Sequence, residues 1–100
     1  MTQEEAQKLV LLRLAAFGRE LGRPELESAD GSTRLFGENA ALDSIGLVTL
    51  IADLEEDVRA AAGVTVNLAD EKAMSRLTSP FRRVDLLAAH LAELVRASRL

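Results

Sequence analysis

Residues 42–63 read LDSIGLVTLIADLEEDVRAAAG, a stretch that starts with a helix-capping residue and ends with glycine. Asp43 is a favourable N-cap, which makes Ser44 the first helical residue. Apolar residues then recur at helical spacing until Gly63, a residue type that commonly ends helices. The predicted buried stripe comprises Val48, Ile51, Leu54, Val58 and Ala61/Ala62, widened by Leu47 and Leu50.

Upstream of this helix, the pattern predicts another long helix over residues 3–21. Thr2 and Glu5 form a capping box, in which each side chain can bond the backbone amide of the other residue. Gly22, followed by Pro24, ends the helix. Its apolar face consists of residues that recur every three or four positions: Ala6, Val10, Leu14, Phe17 and Leu21.

Downstream, the last long helix is predicted to begin at Ser79 and Pro80, an N-cap followed by proline at the first helical position. Its stripe consists of Phe81, Val84, Leu87/Ala88, Leu91 and Leu94/Val95. Residues 70–75 predict one or two further helical turns. Residues 64–66 are β-branched and could form a strand, although no other segment is suited to pair with it.

Residues 23–42 sustain no period and predict a long first loop, which four apolar residues could attach to the core: Leu26, Leu35, Phe36 and Leu42. The chain is therefore predicted to be one all-α domain over residues 1–100. Its expected architecture is a small four-helix bundle with three long helices and one short helix.

The composition excludes several classes of function. A net charge of −4 argues against a nucleic-acid partner. The absence of cysteine excludes disulfides, thiolate metal sites and a cysteine nucleophile. Because no apolar run approaches the length of a membrane span and the N-terminus is acidic and polar, we expect no membrane segment and a cytoplasmic location.

The residues that enzymes use are also scarce. A Ser–His–acid triad would have to use His90, the single histidine, which lies among apolar residues of the last helix and is predicted to be half-exposed and structural. The adjacent acids at 4–5 and 55–56 do not face each other on a helix, so they are not acid–base pairs. No phosphate-binding glycine loop occurs. We therefore expect no enzymatic activity.

The segments around Ser44 resemble the acyl carrier protein family. The resemblance begins at residues 35–39, continues through Leu42-Asp43-Ser44-Ile45, and extends to Val48, residues 50–51, residues 54–56 and Val58. Val66, Asp70-Glu71 and Ala73 resemble that family's short third helix, and residues 81–87 resemble the start of its last helix. The likeness covers about residues 5–97 and includes the long first loop.

This resemblance implies a carrier that is not itself a catalyst. Ser44 would hold 4′-phosphopantetheine as a phosphodiester, transferred from coenzyme A by a phosphopantetheinyl transferase, with Asp43 as the preceding motif residue. The thiol of that group would hold an acyl thioester for acyl-loading and acyl-processing enzymes of fatty-acid, polyketide or other acyl metabolism. A helix N-terminus, with free amides and a partial positive charge, suits a phosphate there. We expect the carrier to be monomeric.

The partner-binding surface is predicted on the same helix. Gly46, Leu47 and Thr49 replace the polar or acidic residues typical of fatty-acid carriers, whereas Glu55 and Glu56 keep part of that family's acidic face. Docking is thus expected to combine an apolar contact at Leu47 with ion pairs at Glu55 and Glu56, both taken as exposed. The alternative is an unmodified helical adaptor that keeps the carrier fold without the cofactor.

Overall fold

The computed structural model describes residues 1–36, 40–69 and 80–98, which contain three α-helices. They are α1 (Gln3–Leu21), α2 (Ser44–Ala62) and α3 (Val84–Ser98). The described ranges contain no strand, so the all-α prediction is confirmed. The predicted short helix at 70–75 lies outside the described residues. Within those ranges, no helix has the length and apolar character needed to cross a membrane.

The ends of α1 are those predicted. The Thr2 hydroxyl accepts from the Glu5 amide at 3.1 Å, and the Glu5 carboxylate accepts from the Thr2 amide at 3.0 Å. Gly22 ends the helix with φ of 67°, a left-handed conformation that glycine adopts without steric cost. Its predicted apolar face is buried at four residues, Ala6, Val10, Leu14 and Phe17.

Leu21, the fifth residue of that predicted face, is exposed, because the chain folds back over Gly18 instead. A Cβ on Gly18 would lie 2.7 Å from the Arg23 carbonyl oxygen and 3.1 Å from the Leu26 Cβ, so only glycine permits this approach. Leu26 follows in a short 3-10 helix (Pro24–Leu26) and is buried. It therefore covers this end of the core, where Leu21 was expected.

The long first loop is attached to the start of α3 through backbone hydrogen bonds. The Leu35 amide donates to the Arg82 carbonyl at 2.7 Å, and the Val84 amide donates to the Thr33 carbonyl at 3.1 Å. Arg34 and Arg83 form an isolated antiparallel bridge between these bonds. Because residues 82–84 are paired with the loop in this way, α3 begins at Val84, and the predicted helix start at Pro80 is wrong.

One aliphatic core joins the three helices and the loop, and α1 packs against both α2 and α3. Of the four loop residues predicted to reach this core, Leu26, Leu35 and Leu42 are buried, but Phe36 is exposed. The other large side chains with almost no exposure are Leu14, Leu50, Leu54, Leu68, Leu87, Leu91, Val10, Val58, Val84 and Val95.

Candidate functional site

The candidate site lies where the first loop ends and α2 begins. Asp43 is extended, and its Oδ1 accepts from the Gly46 amide at 2.7 Å, as expected of an N-cap. The first intrahelical bond runs from the Leu47 amide to the Asp43 carbonyl at 2.9 Å. Ser44 is therefore the first residue of α2, as predicted.

Gly46 gives the Asp43 carboxylate room to cap the helix. A Cβ at this position would lie 3.1 Å from Asp43 Oδ1, closer than an ordinary van der Waals contact. A larger residue would press on the cap that fixes Ser44 at the helix start. The glycine at this position thus has a local structural reason.

The start of α2 is suited to an esterified phosphate. The amides of Ser44 and Ile45 precede the first intrahelical bond, so helix geometry gives them no acceptor within the helix. The helix dipole places a partial positive charge at the same end. The first turn of α2 contains no acidic residue, so no carboxylate within that turn opposes an anion. The residues present therefore fit a phosphodiester on Ser44.

The exposed apolar residues nearest Ser44 differ from the one predicted. Leu47 retains 8% of its surface and belongs to the core, so it cannot provide the apolar docking contact assigned to it. Val48, predicted to be buried, is 66% exposed, and Ile45 is 78% exposed. The buried face of α2 is thus rotated from the predicted one, and it centres on Leu47, Leu50 and Leu54 with Ile51 and Val58 beside them.

Glu55 and Glu56 have different roles in the structure, although both were expected on the exposed rim. Glu55 is half-buried, and its Oε2 accepts from the Leu68 amide at 2.9 Å, which holds the chain after α2 against the helix. Glu56 is exposed and pairs with Arg59 one turn later at 2.6 Å. The expectation of two equivalent exposed acids is therefore wrong for Glu55.

Charge reversal at these two neighbouring positions is expected to separate their roles. Glu55→Lys removes the acceptor from a partly buried amide and should lower the free energy of unfolding by about 1–3 kcal/mol. Glu56→Lys loses only an exposed ion pair and should cost less than about 1 kcal/mol. Urea unfolding followed by circular dichroism measures both. Equal costs for the two variants would contradict the structural role of Glu55.

Asp57, a third acid in this part of α2, forms an ion pair with Arg13 of α1. The Arg13 guanidinium donates two hydrogen bonds to Asp57, one of them from Nε to Oδ2 at 2.9 Å. Both side chains are about three-quarters buried, and the hydrogen bonds to Asp57 raise the pKa of Arg13. Asp57 therefore helps to hold α1 against α2 and is not a free surface charge.

His90 is buried, so the predicted half-exposed position is wrong. Its Nε2 lies 3.1 Å from the Leu68 carbonyl oxygen, which can only accept, and therefore the ring donates to it. Phe81 packs edge-on against the ring with centroids 6.2 Å apart. Leu68 is thus held at its amide by Glu55 and at its carbonyl by His90. His90 thus connects α3 to the chain that follows α2.

The sequence pattern predicted a site at Asp43 and Ser44 but did not predict an exposed apolar surface at Ile45 and Val48. The sequence pattern carried no signal for this surface, because Val48 continues a regular apolar stripe with Ile51, Leu54 and Val58. In the described part of the chain, no group of three or more metal-binding side chains is placed to hold a metal ion. No protein-family model, curated protein or solved structure matches the chain.

Proposed function

We propose that this protein is an acyl carrier that holds 4′-phosphopantetheine on Ser44. The observation that carries the proposal is a serine placed directly after a capping aspartate, as the first residue of a long helix that follows a long loop. The resemblance of residues 5–97 to acyl carrier proteins supports the same function. The proposal includes the family's four-helix arrangement, with a short helix at residues 70–75.

The proposed attachment needs one reactive group from this chain, the Ser44 hydroxyl. Its oxygen forms a bond to the coenzyme A phosphorus that bears pantetheine, the pyrophosphate P–O bond breaks, and adenosine 3′,5′-bisphosphate leaves. The hydroxyl proton passes to a base of the transferase. When attached, the group supplies a thiol that holds an acyl chain as a thioester, which this cysteine-free chain cannot form itself.

The other residues of the site position Ser44. Asp43 caps α2 through the Gly46 amide and thereby fixes where the helix begins. The amides of Ser44 and Ile45, which have no acceptor within the helix, and the helix dipole favour the negative phosphodiester at this position. Partner enzymes that load or process the acyl group would approach the same end of the helix.

Modification by a transferase tests the function directly. The purified protein is incubated with coenzyme A, Mg²⁺ and a broad-specificity phosphopantetheinyl transferase, and the intact mass is measured. We expect a mass increase of one phosphopantetheinyl group, and peptide mapping should place it on Ser44. An unmodified wild-type chain would overturn the proposal in favour of the cofactor-free helical adaptor.

Ser44→Ala is expected to abolish this modification and to leave the helical circular dichroism unchanged, since alanine is a good helix former and Asp43 keeps the cap. Ser28→Ala is the matched control, because Ser28 is an exposed loop serine whose hydroxyl donates to the Glu25 carbonyl. The control should be modified at the wild-type rate. Modification of the Ser44→Ala variant would contradict the assigned site.

A further inference from the structure

We infer that Ile45 and Val48 form the contact through which the transferase docks, and that this docking is apolar and nearly independent of ionic strength. The inference rests on the proposed modification of Ser44 and specifies its partner surface. It differs from the acidic surface that the resemblance to fatty-acid carriers implies. We define the docking patch as the side chains of Ile45 and Val48.

The patch lies beside the proposed attachment site on the first two turns of α2. Ile45 follows Ser44 directly, and Val48 lies one turn further, about 40° around the helix from Ser44 and about 6 Å along it. Their exposed fractions, 78% and 66%, are the largest among the exposed large apolar residues that the structure describes. We therefore expect an enzyme that acts on Ser44 to contact both side chains.

In the described part of the chain, the first turns of α2 around the patch contain no charged side chain, and Asp43 precedes them as the cap. The exposed positions of the first turns of α2 are Ile45, Val48, Thr49 and Ala52, none of them charged. The next exposed acid, Glu56, lies about 18 Å from Ser44 along the helix and is paired with Arg59. That distance exceeds the Debye length of about 8 Å at physiological ionic strength, so its effect on a partner at Ser44 is screened.

The other acids between residues 43 and 57 form contacts within the protein or lie on another face of α2. Asp43 caps the helix, Glu55 holds the Leu68 amide and Asp57 pairs with Arg13. Asp53 is half-buried and lies about 180° around α2 from Ser44. Along the described length of α2, a basic enzyme surface would thus meet only the capping Asp43 carboxylate near Ser44, whereas an apolar surface meets two exposed β-branched side chains.

Glutamate substitutions in the patch distinguish apolar docking from docking to a basic surface, because the two kinds of docking predict opposite changes in the rate of Ser44 modification. With apolar docking, Val48→Glu and Ile45→Glu should each lower kcat/KM for Ser44 modification by about tenfold or more, since a carboxylate must be desolvated at the contact. With docking to a basic surface, the same changes should raise kcat/KM. Ala60→Glu, an exposed site in the last turns of α2, adds the same charge and should leave the rate unchanged.

Ionic strength provides the second measurement. We expect wild-type kcat/KM to change by less than about twofold between ~0.05 and ~0.5 M NaCl, because few charges take part in docking. A steep fall with salt would overturn the inference. Variants at Val48 and Ile45 that are modified at the wild-type rate or faster would also overturn it, while continued modification at Ser44 would leave the proposed function standing.

Loss of folding is not expected to obscure these results. Both sites are exposed, and Ile45 lies in the first turn of α2, where an acidic residue interacts favourably with the helix dipole. Circular dichroism and thermal unfolding of each variant check this. Val48→Thr, which exchanges a methyl for a hydroxyl at nearly constant shape, is the milder variant and should lower kcat/KM by about threefold. A wild-type rate for Val48→Thr together with an unfolded Val48→Glu would count against the patch.

Discussion

Leu47→Glu is expected to unfold the domain, whereas Val48→Glu is expected to leave it folded. Leu47 retains 8% of its surface and lies in the aliphatic core, while Val48 is 66% exposed on the same helix. A carboxylate at position 47 would be buried without a partner, at a cost of at least several kcal/mol. That cost is comparable with the total stability of an ordinary domain, about 5–15 kcal/mol.

Circular dichroism in increasing urea measures this contrast between neighbouring residues. The Leu47→Glu variant should show lost helical signal in buffer or a strongly lowered midpoint, and Val48→Glu should unfold near the wild-type midpoint. A Leu47→Glu variant of wild-type stability would mean that Leu47 faces solvent. The docking surface would then return to the residue that the sequence pattern indicated.

The ends of α1 and α2 could be predicted because the signals that set them are local. Thr2 and Glu5 bond each other across three residues, and Asp43 bonds the Gly46 amide in the same way. Gly22 and Gly63 end the helices with φ of 67° and 71°, conformations that strongly favour glycine. Each of these features depends on residues within one turn of the chain.

The rotation of α2 could not be predicted in this way, because apolar residues occupy a wide arc of the helix and several stripes fit them. Contacts with distant residues select one of these stripes. Arg13 holds Asp57 toward α1, and Glu55 accepts from the Leu68 amide, so these two acids lie at the borders of the buried face of α2. Val48 then points outward and Leu47 inward.

The start of α3 and the burial of His90 have the same kind of cause. The Val84 amide donates a hydrogen bond to the Thr33 carbonyl, about fifty residues earlier in the chain. His90 bonds the carbonyl of Leu68, which no helical periodicity relates to it. The position of Ser44 thus followed from a local motif, but its neighbouring surface depended on tertiary contacts.

Leu54→Ala is expected to lower the free energy of unfolding by about 2–5 kcal/mol, the range for removing a buried leucine side chain. Leu54 has no exposed surface and lies at the middle of α2, between Leu50 and Val58 on its buried face. The surrounding side chains belong to packed helices and can close the cavity only in part, so lost contacts add to lost hydrophobic burial.

Val48→Ala is the matched control for Leu54→Ala, since it also truncates an apolar side chain of α2 but at an exposed position. It should change stability by no more than about 0.5 kcal/mol. Equal costs in urea unfolding would show that the inferred rotation of α2 is wrong. The rate of Ser44 modification should show the reverse pattern. Val48→Ala removes part of the docking patch and should slow modification. The folded fraction of Leu54→Ala keeps the patch and should be modified at the wild-type rate. Stability and docking would then be assigned to opposite faces of one helix.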